Sequence, residues 1–334
     1  MASTIKLGHG GGGLLTGEFI DKEIVSRFGD GPLKGLPDGA LLPAIDGRIV
    51  FSTDSFVVNP FFFPGGNIGD LAVHGTVNDI AVSGGEPLWL SLGLILEEGL
   101  EIDKLRTVLD SIKRAADDCG VKIVTGDTKV VAKGQCDGMY INSAGIGKAL
   151  SPFDLNLDSV KTGDKVIVSG PVGDHGMAVM GAREGLLGDS LLKSDCAPVH
   201  RLVKALLPFA GDVRFMRDPT RGGLAAVLNE VVNRQNFGIS LTEESIPFSP
   251  EAGGVAELLG FDLLHVASEG RMVCICSSEV ADDIISVWQQ MPEGVKCAVI
   301  GETGSEQGRV VLETVIGGRR IIDVPQGELL PRIC

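Results

Sequence analysis

Four aspartates stand in turn-like or strand-end settings: Asp54 in FSTDSF, Asp79 in TVNDIA, Asp127 in VTGDTK and Asp218 in RDPTRGG. Each has small or polar neighbours rather than basic partners at helical spacing. Taken singly, each reads as a cap or turn residue. Together they point to magnesium, which takes oxygen ligands and often needs only one or two carboxylates per ion beside water and substrate phosphates. Lys129 lies two residues after Asp127, so on a strand both side chains share a face. Such a pair either forms a surface salt bridge or neutralises phosphate charge beside a metal. Glu269, in ASEGRM, precedes a strand pattern and a glycine, where a carboxylate can face a cleft as a general base. The sequence ends on Cys334, in GELLPRIC. Read alone, it is an unpaired thiol on a poorly ordered terminus.

Near the start, LGHGGGG supplies Gly10, Gly11 and Gly12. Glycines let backbone amides approach an anion closely. No GKS or GKT follows, and the strand-before, helix-after setting of a dinucleotide fingerprint is missing. His9 sits in this tract and His74 in the helix before NDIA; both read as structural histidines, with phosphate contact as the other option.

The elements that must position these residues alternate between strand and helix. RIVFSTDSFVV reads as a strand, and NIGDLAVHGTVNDIAVSGG as a helix that Asn67 caps and the paired glycines end. LWLSLGLIL is strand-like. DKLRTVLDSIKRAADDCG places apolar residues at 105, 108, 109, 112, 115 and 116, one face of a helix. VKIVTGDTKVV and MYINSAGIGKAL read as two further strands, and the turn-rich SPFDLNLDSVKTGD marks a boundary at about 151 to 164.

The second half predicts strands at KVIVSG, GISLT, RMVCICSS, VKCAVIG and GRVVLETVI, with helices at about 174–185, 196–209, 221–235, 250–260 and 279–291. Neighbouring strands often lack the long crossover that a parallel pair needs. The expectation is therefore two α/β (α+β) domains with mixed or antiparallel sheets, not a doubly wound Rossmann sheet. No element is expected after Asp323. That tail, fully extended, spans on the order of 40 Å, enough to reach a cleft.

The 334 residues suit two domains with a buried core in each. Counting 29 basic against 44 acidic residues gives a net charge of −15, which disfavours nucleic acid and anionic membrane as partners. No run of about 18 apolar residues and no signal pattern are seen. A cytoplasmic protein is expected. The seven cysteines include no CxxC and no zinc spacing, so reduced thiols fit best. Cys274 and Cys276 share one strand face, as core fillers.

LGHGGGG, FSTDSF, GTVNDIAVSGGEPLWLS, TGDTKVV, GDHG, RDPTRGGLA and the terminal PRIC run over essentially the whole chain. Together they resemble the HypE family, the hydrogenase-maturation carbamoyl dehydratases of the aminoimidazole ribonucleotide synthetase and selenophosphate synthetase superfamily. The NDIA and TGDTK elements indicate the superfamily, and PRIC the family.

The resemblance implies an N-terminal ATP-binding and dimerisation domain over 1–155, a C-terminal α/β domain over 156–322, and a flexible tail over 323–334. It implies a homodimer that associates through the N-terminal sheets. ATP and Mg2+ would lie between the N-terminal carboxylates and the glycine-rich segment. Gly10, Gly11, Gly12, Asn78, Asp79, Gly126 and Asp127 would hold nucleotide, and Asp54, Asp79, Asp127 and Asp218 the metal. Lys129 would stabilise phosphate, and Glu269 would be the base. Cys334 would carry a carbamoyl group received from the carbamoyltransferase HypF. ATP-dependent dehydration would make it a thiocyanate, whose cyano group passes to iron on the HypC–HypD complex.

One departure matters: positions 8 to 13 hold no cysteine, which argues against selenide chemistry. Two other readings stay open. One is ATP-dependent phosphorylation of a free small molecule, as elsewhere in the superfamily; the other is a nucleotide-gated scaffold whose PRIC tail only docks.

Overall fold

The computed structural model describes residues 4–29, 31–188, 190–233, 235–324 and 332–334. Strands of the first half are β1 Ile49–Phe56, β2 Phe62–Phe63, β3 Gly66–Asn67, β4 Gly85–Glu97, β5 Lys122–Val131 and β6 Met139–Ala149. Its helices are α1 Leu14–Phe19, α2 Ser26–Phe28, α3 Ile68–Val82 and α4 Ile102–Cys119. The second half carries β7 Lys165–Val168, β8 Val213–Arg217, β9 Gly238–Thr242, β10 Val273–Cys276, β11 Ala298–Gly304, β12 Val310–Glu313 and β13 Arg319–Ile321. Among them run α5 Asp174–Arg183, α6 His200–Ala205, α7 Gly223–Val232, α8 Pro250–Leu259 and α9 Ala281–Trp288.

Helix α3 starts at Asn67 because two donors are satisfied there reciprocally. The Asn67 side chain accepts the Gly69 N–H at 2.8 Å, and Asp70 accepts the Asn67 N–H at 3.0 Å. Only His74 and Asp79 of this helix escape full burial. A helix that is apolar nearly all round must be covered on all sides. The four-stranded sheet covers one side and the second half of the chain the other.

That sheet has the order β1-β6-β4-β5, in which only β4 and β5 run parallel, joined through α4. Helix α3 lies so close that β6 must carry glycine. A Cβ on Gly145 would stand 2.6 Å from Ile80, 2.7 Å from Leu90 and 2.8 Å from Thr76. The opposite face of the sheet is open. Phe51 is 65% and Ile49 59% exposed there, with Ile95 also exposed.

The second sheet has the order β13-β12-β9-β11-β7-β10-β8, with only β9 and β12 parallel. Both sheets are thus mixed, as the short connections implied. Cys274 and Cys276 are fully buried on β10. Besides the two-residue β2 and β3, two strands escaped the sequence reading, β8 (VRFMR) and β13 (RRI). Both are sheet edges, where arginines blunt the unpaired rim and mask the alternation that marks a strand.

Gly145→Val places three carbons against Ile80, Leu90 and Thr76. Such overpacking costs about 1–3 kcal/mol, so the midpoint of urea unfolding should fall with the slope unchanged.

Candidate active site

Ser52, Asp54 and Phe56 alternate on the face of β1 that meets α3. Ser52 Oγ donates to Asp79 Oδ2 at 2.6 Å, tying the end of β1 to the end of α3. Asp54 Oδ1 accepts the Ser55 N–H at 2.9 Å. From the second half, the turn after β8 brings Asp218, and the segment before β10 brings Glu269; both are buried. Burial raises the Asp54 carboxyl above its usual range, and Asp79 adds to the effect while Arg221 opposes it. Asp218 is pushed up to about 7, chiefly by burial and then by Asp79 and Asp54. Glu269 rises well above the carboxylate range, through burial first and then Asp218, Asp195, Asp54 and Asp79. Its Oε1 is buried with no hydrogen-bond partner. Burial and like charge favour the protonated form of such a carboxyl, and a cation entering the cluster would favour release of its proton.

Asn78 does not face this cleft. Its amide donates to Ala197 O at 3.0 Å and Glu269 O at 2.9 Å, and accepts the Val199 N–H at 2.8 Å. All its capacity goes into fixing the second half to α3, so it is a structural bolt rather than a nucleotide contact. Asp195, which the sequence reading passed over, completes the mounting: its Oδ1 accepts the Glu269 N–H at 2.9 Å. Arg221, also passed over, is a cation whose charge opposes the upward shifts of Asp54 and Cys334. Its position three residues after Asp218, in RDPTRGG, was the available signal.

Residues 332–334 are docked, although no element was expected after Asp323; 325–331 lie outside the described residues. Val57 N donates to Cys334 O at 3.0 Å and Asn59 N to Arg332 O at 3.1 Å, extending the line of β1. Ile333 is buried in the core of the first half. Cys334 reaches the carboxyl cluster: burial pushes its thiol far up, and Glu269 is the next cause. The reading of Cys334 as a thiol on a poorly ordered terminus therefore does not describe the docked residue.

Asp127 and Lys129 stand apart. Asp54 pairs with Ser143, Ser143 with Leu92 and Leu92 with Gly126, so Asp54 and Gly126 share a face. Asp127 pairs with Gly93 in the next row and projects from the open face. β1 and β5 are opposite edges of the sheet, three spacings or about 14 Å apart. One chain therefore does not gather the four aspartates. Lys129 lies 3.5 Å from Asp127, both well exposed. Gly126 is glycine because a Cβ would sit 2.4 Å from Leu92 O.

The glycine tract packs on the same strand, where a Cβ on Gly10 would lie 2.7 Å from Val130 N; Gly11 and Gly12 are less crowded. An apolar cavity of about 190 Å3, lined by Thr16, Ile20, Ile24, Leu94, Gly126 and Asp127, opens between the segment that follows the glycine tract and strands β4 and β5. Both histidines are structural. His9 accepts the Lys6 N–H and stacks on Phe19, and His74, with its pKa lowered to about 4 by burial, meets Cys196 Sγ at 3.4 Å.

Two such α/β halves, with acidic residues gathered at their junction, define the class. The family model for the N-terminal domain of AIR synthase related proteins matches residues 37–149, and that for the C-terminal domain 161–313. The carbamoyl dehydratase HypE of Rhizobium leguminosarum bv. viciae is 45% identical over 332 residues, covering 99% of this chain and 95% of that protein. A crystal structure of hydrogenase maturation protein HypE in complex with ATP superposes with a TM-score of 0.94 at 41% identity, over 98% and 99% of the two chains. HypE in a crystal structure of the HypE–HypF complex gives 0.80 at 40% identity, over 94% and 100%. The chain belongs to the HypE family of carbamoyl dehydratases, enzymes of hydrogenase maturation.

Asp218 supplies a pH test. Its folded pKa of about 7 exceeds the ordinary 3.8. The stability it contributes is therefore present below 3.8 and lost as pH rises through about 7. Without nucleotide or metal, the wild-type melting temperature should fall between about pH 5 and pH 8 more steeply than that of Asp218→Asn. Equal slopes would show that Asp218 is ionised throughout.

Proposed function

We propose that this enzyme uses ATP and Mg2+ to dehydrate a carbamoyl group carried as S-carboxamide on Cys334, giving a thiocyanate. The observation that carries this reading is the docking of the last residue: Cys334 O accepts the Val57 N–H at 3.0 Å, and the charges of Glu269, Asp54 and Asp218 are felt at its thiol. A primary amide loses its oxygen only if that oxygen leaves as something better than hydroxide. The amide oxygen attacks the γ-phosphoryl group, ADP departs, and the oxygen later leaves within phosphate as the two N–H protons are removed and C≡N forms. Tethering makes capture intramolecular, which raises the effective concentration of the amide.

The chain's own residues take the following parts. Glu269 Oε1, lacking a partner, is the acceptor for the amide protons once the cluster is discharged. Arg221 offsets negative charge beside Cys334. Asp54, Asp79 and Asp218 offer hard oxygen donors of the kind magnesium prefers. Among the described residues no three metal-ligating side chains converge closely enough to hold an ion alone. That suits a cation completed by phosphate oxygens, and the ion would supply charge neutralisation on the transferring phosphate. Gly10, Gly11, Gly12 and Gly126 would hold nucleotide, and Lys129, paired with the Asp127 that lines the cavity beside Gly126, would meet its phosphate.

Because Asp127 projects from the open face, a homodimer formed through Ile49, Phe51 and Ile95 is the arrangement that could bring Asp127 of one copy toward the carboxyls of another. HypF as donor and HypC–HypD as acceptor follow from the family. A cytoplasmic setting follows from free cysteines and from the lack, among the described residues, of a helix long and apolar enough to cross a membrane.

Docked, the Cys334 thiol is half-buried and burial disfavours its thiolate, so carbamoyl transfer takes place with the tail outside. After incubation with the carbamoyltransferase and carbamoyl donor, intact mass should show one adduct per chain, mapped to Cys334. Adding ATP should remove one water from it. Cys334→Ala should fold and bind ATP as before, since the main-chain bonds of Cys334 and Arg332 to Val57 and Asn59 do not involve the thiol, yet carry no adduct. An adduct that persists in Cys334→Ala would overturn the reading.

A further inference from the structure

The motif GDHG has no part in the chemistry above, yet His175 is completely buried and touches the tail. Its Nε2 stands 2.9 Å from Ile333 O and its Nδ1 2.8 Å from Ser194 Oγ. A carbonyl only accepts, so Nε2 carries the hydrogen and Nδ1 accepts from the Ser194 hydroxyl. Ser194 Oγ in turn accepts the Cys196 N–H at 3.0 Å. This chain fixes the tautomer and aims one donor at the peptide that precedes Cys334. Burial lowers the His175 pKa to about 4, so the ring is neutral while it does so.

A second grip holds the arginine of PRIC. The Arg332 guanidinium pairs with Asp137, lies 5.8 Å from the centre of the Tyr140 ring, and donates from Nε to Val57 O at 3.3 Å. Tyr140 Oη donates to Asp137 Oδ2 at 2.6 Å, which orients that carboxylate. The loop bearing Asp137 is pinned from β4, where Glu97 accepts the Gly134 and Gly138 N–H groups at 2.5 and 2.7 Å. Side chains from both halves of the chain thus converge on three residues of tail.

We propose that His175 and the Asp137–Tyr140 pair are positioning residues for dehydration: they dock the last three residues so that Cys334 stands in the carboxyl cluster, and the strength of their grip sets how often the thiol is exposed to a partner. This rests on the tethered-thiol reading above. It makes two steps respond oppositely to one change. A weaker grip slows dehydration, which needs the tail inside, and hastens carbamoyl acceptance, which needs it outside. A residue that served only the fold would slow both.

The test begins without ATP or partner, on the full chain. Alkylation of Cys334 by iodoacetamide, mapped by mass, reports the exposed fraction. Asp137→Asn removes a half-exposed charge pair and should speed it about three- to tenfold, with melting temperature unchanged. His175→Gln should speed it at least as much, and Asp137→Asn keeps the proposal testable should the buried substitution unfold the chain. The same variants should then show slower water loss after ATP and faster carbamoyl acceptance. Unchanged Cys334 alkylation in Asp137→Asn would overturn the proposal, as would a parallel fall in both steps. Faster alkylation without water loss in any chain, wild type included, would support the dock and remove the dehydratase reading.

Discussion

The fit of the two halves depends on the side-chain amide of Asn78. It is buried and makes three hydrogen bonds to the main chain of the second half, at Ala197, Val199 and Glu269. Any other seating would strand a buried amide and its partners, at about 1–3 kcal/mol for each unmet group. The seat is therefore unique. From it follows the meeting of Asp54 and Asp79, delivered by the ends of β1 and α3, with Asp218 and Glu269, delivered by turns of the other half. A helix able to carry that bolt had to be enclosed on both sides, which in turn required glycine at 145 where the sheet passes beneath it.

So assembled, the junction gathers like charges with little water to shield them, in a chain already at −15. The physical outcome is proton retention, strongest at Glu269, where burial and four neighbouring acids act together. Positive charge arriving with a ligand would act against that preference.

Much of this was legible in the sequence. Periodicity located the principal strands and helices of the first half, and short connections excluded a Rossmann sheet. Settings among small and polar residues singled out Asp54, Asp79 and Asp218 of the junction, and Asp127 with them. What was hidden was direction. Asp54 and Asp127 have similar local settings, and only the pairing Asp54–Ser143–Leu92–Gly126 shows that they point to opposite faces. Asn78 beside Asp79 invited a ligand role for both, yet successive positions on a helix diverge by about 100°, and one went to the interface. The dock for PRIC was invisible because its parts, Val57, Asp137, Tyr140 and His175, are scattered along the chain and have ordinary neighbours.

The line that Val57 and Asn59 make with the chain end has a consequence for the enzyme away from its chemistry. With the tail seated, the Val57 and Asn59 N–H groups are used and Ile333 is dry. Whenever the tail departs, those amides and an apolar slot are uncovered at the rim of a sheet, the kind of edge to which another strand can add. The chain end is then a guard for that edge: a tethered peptide at high effective concentration competes there with any strand from another molecule.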